Sequence, residues 1–168
     1  MSISVNGQAV QAPEDPRVSL LDLLREHMQL SGTKKGCNQG ACGACTVIVD
    51  GQRVLSCLAL AVQFEGRSIT TIEGLGEPSS LHPLQRAFVE HDGFQCGYCT
   101  PGQICSAVAM IEEIRRGVPS HVTSDLLSSS ISFSHEELRE RMSGNLCRCG
   151  AYNGIIDAIA ETWKEAAE

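Results

Sequence analysis

Hydrophobic and polar residues alternate in the first part of the chain in the way that short β-strands require. Residues 2–10 read SISVNGQAV and residues 46–56 read TVIVDGQRVLS. Each run contains an Asn-Gly or Asp-Gly pair, which is the strongest local signal for a tight hairpin turn because both residues tolerate positive φ. The pattern predicts two β-hairpins and a further strand near SITTI, residues 68–72.

A helical pattern lies between the two hairpins. Residues 19–28 (SLLDLLREHM) have apolar positions at helical spacing, and Ser19 with Asp22 forms an S-x-x-D start signal. Two hairpins with a helix crossing between them predict a small mixed sheet packed against one helix. The glycine-rich loop from Gly32 to Ala44 would lie at the edge of that sheet.

The second half of the chain changes to helical periods after EGLGEPSS, residues 73–80, which is typical of a linker. Thr100 is the predicted cap of one helix, with Pro101 at its first position, and Ser134 with Glu137 forms a capping box for another. The four predicted helices lie within residues 81–92, 100–116, 134–142 and 153–168, with a serine-rich surface loop at 117–134. We therefore predict two domains, 1–75 and 81–168, the second a small helical bundle.

Composition limits the partners and the compartment. The net charge of −7 argues against nucleic acid or an anionic membrane as the main partner. No apolar run is long enough to span a bilayer, and the first residues lead directly into a strand pattern. We expect a cytoplasmic protein, or a periplasmic one if a leader has been removed. Each half would have only a small core, so a metal or covalent constraint would help both halves to fold.

Nine cysteines without a secretion signal are poorly explained by disulfides, and eight of them form two groups of four. Group one has the order C-x4-C-x2-C followed by a fourth cysteine after eleven residues, the ligand spacing of plant-type [2Fe–2S] proteins. Its members are Cys37, Cys42, Cys45 and Cys57. The glycines and alanines between them let the backbone wrap closely around an anionic cluster and turn N–H groups toward it. A zinc or disulfide site fits this spacing less well than an iron–sulfur cluster.

Group two is a C-x2-C pair and, after 47 intervening residues, a C-x-C pair. Its members are Cys96, Cys99, Cys147 and Cys149. Both pairs directly precede predicted helices, where free N–H groups and the positive end of the helix dipole favour an anion. Spacing alone favours a second [2Fe–2S] cluster here but leaves zinc open. The ninth cysteine, Cys105, lies in an apolar helical stripe and is predicted to be a buried core thiol.

Three longer motifs, GCNQGACGACTVIVDG, QCGYCTPG and SGNLCRCG, resemble the small iron–sulfur subunit of the molybdenum hydroxylases. That family includes xanthine dehydrogenase, aldehyde oxidoreductases and aerobic carbon monoxide dehydrogenase. The resemblance spans nearly the whole chain. It implies an α+β protein: a ferredoxin-like β-grasp domain and then a four-helix-bundle domain, each with one [2Fe–2S] cluster held by its cysteine group. It further implies that Gln95 and Cys149 contact the pterin of a molybdenum cofactor.

The resemblance also implies a function and partners. The chain would be the electron-transfer subunit of a molybdenum-dependent oxidoreductase, with no complete active site of its own. A large partner subunit would carry the molybdenum–pterin cofactor and a medium subunit FAD, in a heterotrimer or a dimer of heterotrimers. Two alternatives belong to other classes: a free-standing double-cluster ferredoxin, and a zinc-stapled interaction module. The sequence of this chain does not identify the substrate, because the substrate pocket would be on another subunit. The last motif reads CRCGAYNGI, which weakly resembles the aldehyde-oxidising branch.

Overall fold

The fold combines a mixed β-sheet with a set of helices, in the computed structural model that describes residues 2–127, 131 and 133–167. The strands are β1 Ser2–Val5, β2 Gln8–Gln11, β3 Thr46–Val49, β4 Gln52–Leu55 and β5 Ser68–Thr70. The helices are α1 Leu20–Asp22, α2 Pro83–Glu90, α3 Thr100–Arg115, α4 His135–Met142 and α5 Tyr152–Ala167. Short 3-10 turns occur at Ser56–Leu58, Ala61–Phe64 and Ile72–Gly74. The sequence prediction of an α+β protein is thus confirmed.

The five strands form one sheet in the order β2-β1-β5-β3-β4. β1 pairs with β5 in parallel, and the other neighbours pair antiparallel. Both predicted hairpins are confirmed, and their turn residues have positive φ, 50° at Asn6 and 46° at Asp50. Because the second hairpin leads from β3 directly to Cys57, its register determines where the last cysteine of group one lies.

The helix that packs on this sheet begins as predicted but is less regular than its pattern suggests. The Ser19 hydroxyl accepts a hydrogen bond from the Asp22 backbone N–H at 3.0 Å, which confirms the start signal. After one α-helical turn the chain widens into a π-helical turn, Leu23–His27, with the Met28 N–H bonded to the Leu23 carbonyl. The core beneath it consists of buried side chains from this helix and the sheet, among them Leu20, Leu23, Leu24, Ile3, Val47 and Ile69.

The helical half has its own core, built from α2, α3, α4 and α5. Its largest buried side chains include Leu84, Phe88, Met110, Leu138, Ile155 and Ile159. The Ser134 cap of α4 is confirmed, because its hydroxyl accepts from the Glu137 N–H at 3.2 Å. The predicted Thr100 cap is wrong by one residue. The Cys99 carbonyl already accepts the N–H of Gln103, so Cys99 is the N-cap and α3 begins at Thr100.

The two halves pack against each other along α3. Cys105 and Ala109 of α3 form a small buried cluster with Ile48 of β3. At the rim of this contact, the guanidinium of Arg53 on β4 binds both carboxylate oxygens of Glu113 on α3, at 2.8 and 2.7 Å. Such a two-pronged ion pair fixes orientation as well as distance. The sheet and the helices therefore have a defined relative position.

The serine-rich segment 117–134 is only partly described, since residues 128–130 and 132 lie outside the described residues. Its first part is anchored on α4, because the hydroxyls of Ser120 and Thr123 donate to the buried carboxylate of Glu137. Arg141 completes the arrangement with a bond of 3.0 Å to the same carboxylate. No helix in the described part of the chain is long and apolar enough to cross a membrane.

Candidate metal centres

Group one is assembled from one loop and the turn that follows β4. Cys37 and Cys42 lie in the loop, Cys45 is buried at its end just before β3, and Cys57 lies in the 3-10 turn after β4. The thiols meet in pairs, Cys37 with Cys42 and Cys45 with Cys57. The structure thus brings all four predicted members of group one to the same end of the sheet.

The loop of group one is wrapped tightly around its thiols. A β-carbon at Gly36 would lie 2.8 Å from the Cys42 sulfur, so a larger residue would displace that thiol. The backbone N–H of Ala41 donates to the Cys37 sulfur at 3.2 Å. A thiolate that accepts such bonds is stabilised as an anion, which is the state that binds iron. The loop therefore suits a negatively charged metal cluster.

Group two is assembled from two distant segments that meet where two helices begin. Cys96 and Cys99 directly precede α3, and Cys147 and Cys149 directly precede α5. The pairing crosses between the segments, because Cys96 contacts Cys149 and Cys99 contacts Cys147. The Ala151 N–H at the start of α5 points to the Cys147 sulfur at 3.4 Å. The predicted position of these thiols at helix N-termini is confirmed.

Each group contains thiols with opposite acidities. Backbone hydrogen bonding, first from Gln39, lowers the pKa of Cys37 to about 7, whereas burial raises the pKa of Cys45 to about 11. In group two, the N–H of Tyr98 lowers the pKa of Cys96, and burial raises the pKa of Cys99 to about 12. Backbone N–H donors and burial therefore act in opposite directions on different thiols of the same group.

The pairwise arrangement bears on which metal the groups suit. A structural zinc ion takes four His, Cys, Asp or Glu donors around a single centre. A [2Fe–2S] cluster instead takes two ligands on each of two irons. The pairing of the thiols in both groups matches this requirement of a two-iron cluster.

The two groups share one cavity of about 490 Å³. Its walls include Cys37 and Cys42 from group one, and Cys96, Cys99 and Cys147 from group two. Two hydrogen bonds join the loops across it. The Leu146 N–H donates to the Cys42 carbonyl at 2.9 Å, and the Tyr98 hydroxyl donates to the Lys35 carbonyl at 2.8 Å. The two candidate centres thus adjoin each other inside the protein.

The remaining predicted site residues have different surroundings. Gln95 is exposed beside Cys96, and Cys149 is half-buried. Phe94 and Tyr98, also exposed, give this end of the molecule an apolar surface around Gln95. Cys105 is only 1% exposed, and burial raises the pKa of its thiol to about 12. Its predicted role as a buried core thiol is therefore confirmed.

Sequence reasoning missed two buried amides between the groups. Asn145 and Gln103 lie on the segments that carry group two, and Asn145 also contacts the loop of group one. Their positions within two to four residues of Cys147 and Cys99 were visible in the sequence. Whether a polar residue near a ligand is buried depends on the tertiary structure, so only the fold reveals these contacts.

Comparison with known proteins divides the chain into two matched regions. Residues 3–67 match the family described as "2Fe-2S iron-sulfur cluster binding domain", and residues 71–160 match the "[2Fe-2S] binding domain". Each of the two regions contains one complete cysteine group. The chain therefore consists of two [2Fe–2S] binding domains in the order that the resemblance implies.

Individual relatives cover nearly the full chain. The aldehyde oxidoreductase iron-sulfur-binding subunit PaoA of Escherichia coli is 59% identical over 96% of this chain and 70% of its own length. The gamma subunit of caffeine dehydrogenase from Pseudomonas sp. CBB1 is 46% identical, over 95% of this chain and 87% of its own length.

Solved structures agree with these relatives. A chain of quinoline 2-oxidoreductase from Pseudomonas putida 86 has a TM-score of 0.83 and 44% identity, covering 99% of this chain and 94% of that one. Aldehyde oxidoreductase from Desulfovibrio desulfuricans has a TM-score of 0.84 and 37% identity, but this chain spans only 17% of that longer chain. Two matched domains, relatives of high identity and the shared fold agree: the chain belongs to the small [2Fe–2S] iron–sulfur subunits of the molybdenum hydroxylase family of oxidoreductases.

Proposed function

We propose that this chain relays electrons within a multi-subunit molybdenum hydroxylase. The electrons would come from a molybdenum–pterin cofactor on a large partner subunit and leave to FAD on a medium subunit or to an external acceptor. The complex would be a heterotrimer or a dimer of heterotrimers. The observation that carries the proposal is a cavity lined by two thiols of group one and three of group two, because a relay needs its two centres side by side.

The ligands in this proposal are the eight paired cysteines. Cys37, Cys42, Cys45 and Cys57 would hold one [2Fe–2S] cluster, and Cys96, Cys99, Cys147 and Cys149 the other. Each cluster, when bound, takes up and releases one electron. The protein would stabilise the anionic cluster with N–H donors such as that of Ala41. The buried hydroxyl of Thr100, next to Cys99, has no hydrogen-bond partner among the described residues, and a sulfur acceptor would satisfy it.

Group two would face the molybdenum subunit. Cys96 and Gln95 are exposed, and the aromatic residues Phe94 and Tyr98 beside them are exposed as well. A surface of this kind, apolar with an exposed amide, suits burial in a protein interface. Gln95 would donate to the pterin, and Cys149 would contact it as a cluster ligand. Group one would face the flavin side, where Leu58 is 64% exposed next to the loop.

For the substrate of the whole complex we propose an aldehyde. The E. coli relative at 59% identity is a subunit of an aldehyde oxidoreductase, whereas the caffeine dehydrogenase relative is 46% identical. Because the substrate pocket would be on another chain, purification of the natural complex and assay with aldehydes and with N-heterocycles tests this point. Faster turnover of an N-heterocycle than of any aldehyde would refute it.

The relay itself is tested on the complex purified from its natural source. We expect co-elution with larger subunits, and about four irons and about four acid-labile sulfides per copy of this chain, as two [2Fe–2S] clusters require. Anaerobic addition of substrate should then produce the paramagnetic signals of reduced clusters. A monomeric red-brown chain would favour the free-standing ferredoxin, and a colourless chain containing zinc would contradict any electron-transfer role.

A further inference from the structure

A single buried side chain joins the ligand segments of both cysteine groups. Asn145 is 6% exposed, and it lies two residues before Cys147. Its side-chain amide donates to the Gly43 carbonyl at 3.1 Å, within the loop of group one. The same amide donates to the Gly102 carbonyl at 3.2 Å, three residues after Cys99. One amide group therefore contacts the three segments that carry most of the candidate ligands.

The surroundings of Asn145 leave little freedom for these segments to shift. Gln103, only 1% exposed, donates from its side chain to the Asn145 backbone carbonyl at 2.8 Å. Gly102 approaches Gly43 so closely that a β-carbon on Gly102 would lie 2.5 Å from the Gly43 carbonyl oxygen. Gly43 itself has φ +72° and would bring a β-carbon within 2.6 Å of the Gly144 carbonyl. The backbones are in contact, and Asn145 ties them together at that contact.

We infer that Asn145 is a positioning residue that sets the separation of the two metal centres, an inference that rests on the proposed relay function. An ordinary core amide would satisfy the nearest buried carbonyls of its own domain. Asn145 satisfies one such carbonyl, that of Gly102, but also reaches the other half of the chain, where it satisfies the Gly43 carbonyl between Cys42 and Cys45. Because the rate of electron transfer falls steeply with distance, this residue would keep the step between the centres fast.

The experiment measures the separation directly, without relying on turnover. Two reduced [2Fe–2S] clusters are both paramagnetic, and their mutual magnetic interaction varies with the inverse cube of their separation. The full complex is prepared as wild type and with Asn145→Asp or Asn145→Ala in this chain. A carboxylate has no donor for the two carbonyls and would repel them, so Asn145→Asp should displace the loops most.

Two further variants complete the design. Asn153→Asp is the matched control, because Asn153 is exposed in the first turn of α5 and the change adds the same charge close to group two. Gly102→Ala separates the same loops through the backbone instead of the amide. It tests the same contact if Asn145→Asp yields no folded protein.

When both clusters are reduced, their magnetic interaction splits the lines of the paramagnetic resonance spectrum. We expect this splitting to become smaller or disappear in the Asn145 and Gly102 variants, while their iron content stays complete. In the Asn145 and Gly102 variants, the spectrum of each cluster reduced alone should match that of the wild type. In Asn153→Asp, the splitting itself should match that of the wild type. Unchanged splitting in variants that retain all of their iron would overturn the inference. Iron loss in all of the variants would overturn it as well, because Asn145 would then be needed to keep the clusters bound and not to set their separation. A wild-type complex without iron would instead defeat the proposed function itself.

Discussion

The two cysteine groups reach similar chemistry by different routes. Group one is local, because three of its thiols lie in one loop and the fourth follows a hairpin whose register is determined by the sheet. Group two is nonlocal, because its two pairs are separated by 47 residues and meet only when α3 and α5 pack together. The first centre therefore depends on a loop conformation, whereas the second depends on the tertiary structure of the whole helical half.

The largest effect is expected when one cysteine ligand is removed from either group. Cys147→Ser should eliminate the group-two cluster and with it about half of the iron in this chain. It should also loosen the packing of α3, α4 and α5. Cys45→Ser should remove a similar share of the iron but loosen mainly β3 and its neighbours. Iron analysis with amide hydrogen exchange would measure both effects. Wild-type exchange protection throughout both variants would contradict the idea that each cluster stabilises its own half.

The order of electron flow gives the next prediction. In a complex lacking only the group-one cluster, substrate should still reduce the group-two cluster, while the flavin or an external dye stays oxidised. The physical reason is that Gln95 and Cys149 are proposed to adjoin the pterin, so group two receives the electron first. Anaerobic paramagnetic resonance would follow the remaining cluster. If the flavin were reduced at the normal rate while the group-two cluster gave no paramagnetic signal, the proposed order would be wrong.

The contact between the halves is tested at Arg53. Arg53→Ala removes a two-pronged bond to Glu113 and leaves a largely buried carboxylate without that partner, which should cost on the order of 2 kcal/mol in unfolding free energy. Denaturant unfolding would measure the loss. The matched control is Arg67→Ala, whose pair with Asp50 is exposed and screened by water, so its loss should cost much less than that of Arg53. Equal effects of the two substitutions would show that the Arg53 contact does not hold the halves together.

The smallest expected effect concerns pH and the helical half. Burial alone would raise the pKa of Glu137, but hydrogen bonds from Thr123, Ser120 and Arg141 outweigh it, so that this pKa is lowered. A carboxylate with a lowered pKa stabilises the folded state above its ordinary pKa, and that stabilisation is lost as the pH falls through the lowered value. Glu137→Gln should therefore be less stable than wild type near neutral pH, by about 1 kcal/mol.

That stability gap should begin to narrow below about pH 4.3, the ordinary pKa of a glutamate, and should close as the pH falls through the lowered pKa of Glu137. Hydrogen exchange of α4 between neutral and acidic pH would follow the closing gap. Glu136→Gln provides the control, because Glu136 is exposed on the same turn and its substitution should leave the pH profile of wild type unchanged. A constant gap between Glu137→Gln and wild type at every pH would rule out this titration as the cause.

The sequence predicted those features that depend on neighbouring residues. Asn-Gly and Asp-Gly turns, the Ser19 and Ser134 caps and the helical periods are local signals, and the structure confirms them. The widened turn at Leu23–His27 was not predictable, because leucine spacing does not distinguish it from a regular helix. The cap of α3 was misassigned because Cys99 caps through its carbonyl, not through a typical capping side chain.

The candidate site likewise has features that the sequence predicts and features that only the structure reveals. Spacing separated the eight cysteines into two groups, and the structure brings the members of each group together. The pairing within group two, the shared cavity and the contacts of Asn145 join residues far apart in sequence. No local pattern encodes such contacts, since they arise when α3 packs on β3 and against α5.

The close backbone contact between Gly43 and Gly102 also limits how this subunit can be recombined with its relatives. A chimera that joins the first domain of one protein to the second domain of another must reproduce both surfaces of that contact, because a single β-carbon on Gly102 would collide with the opposite carbonyl. The natural unit of exchange is therefore the pair of domains. A designer who wishes to change only one cluster should substitute within its own loop and keep both glycines and Asn145 unaltered.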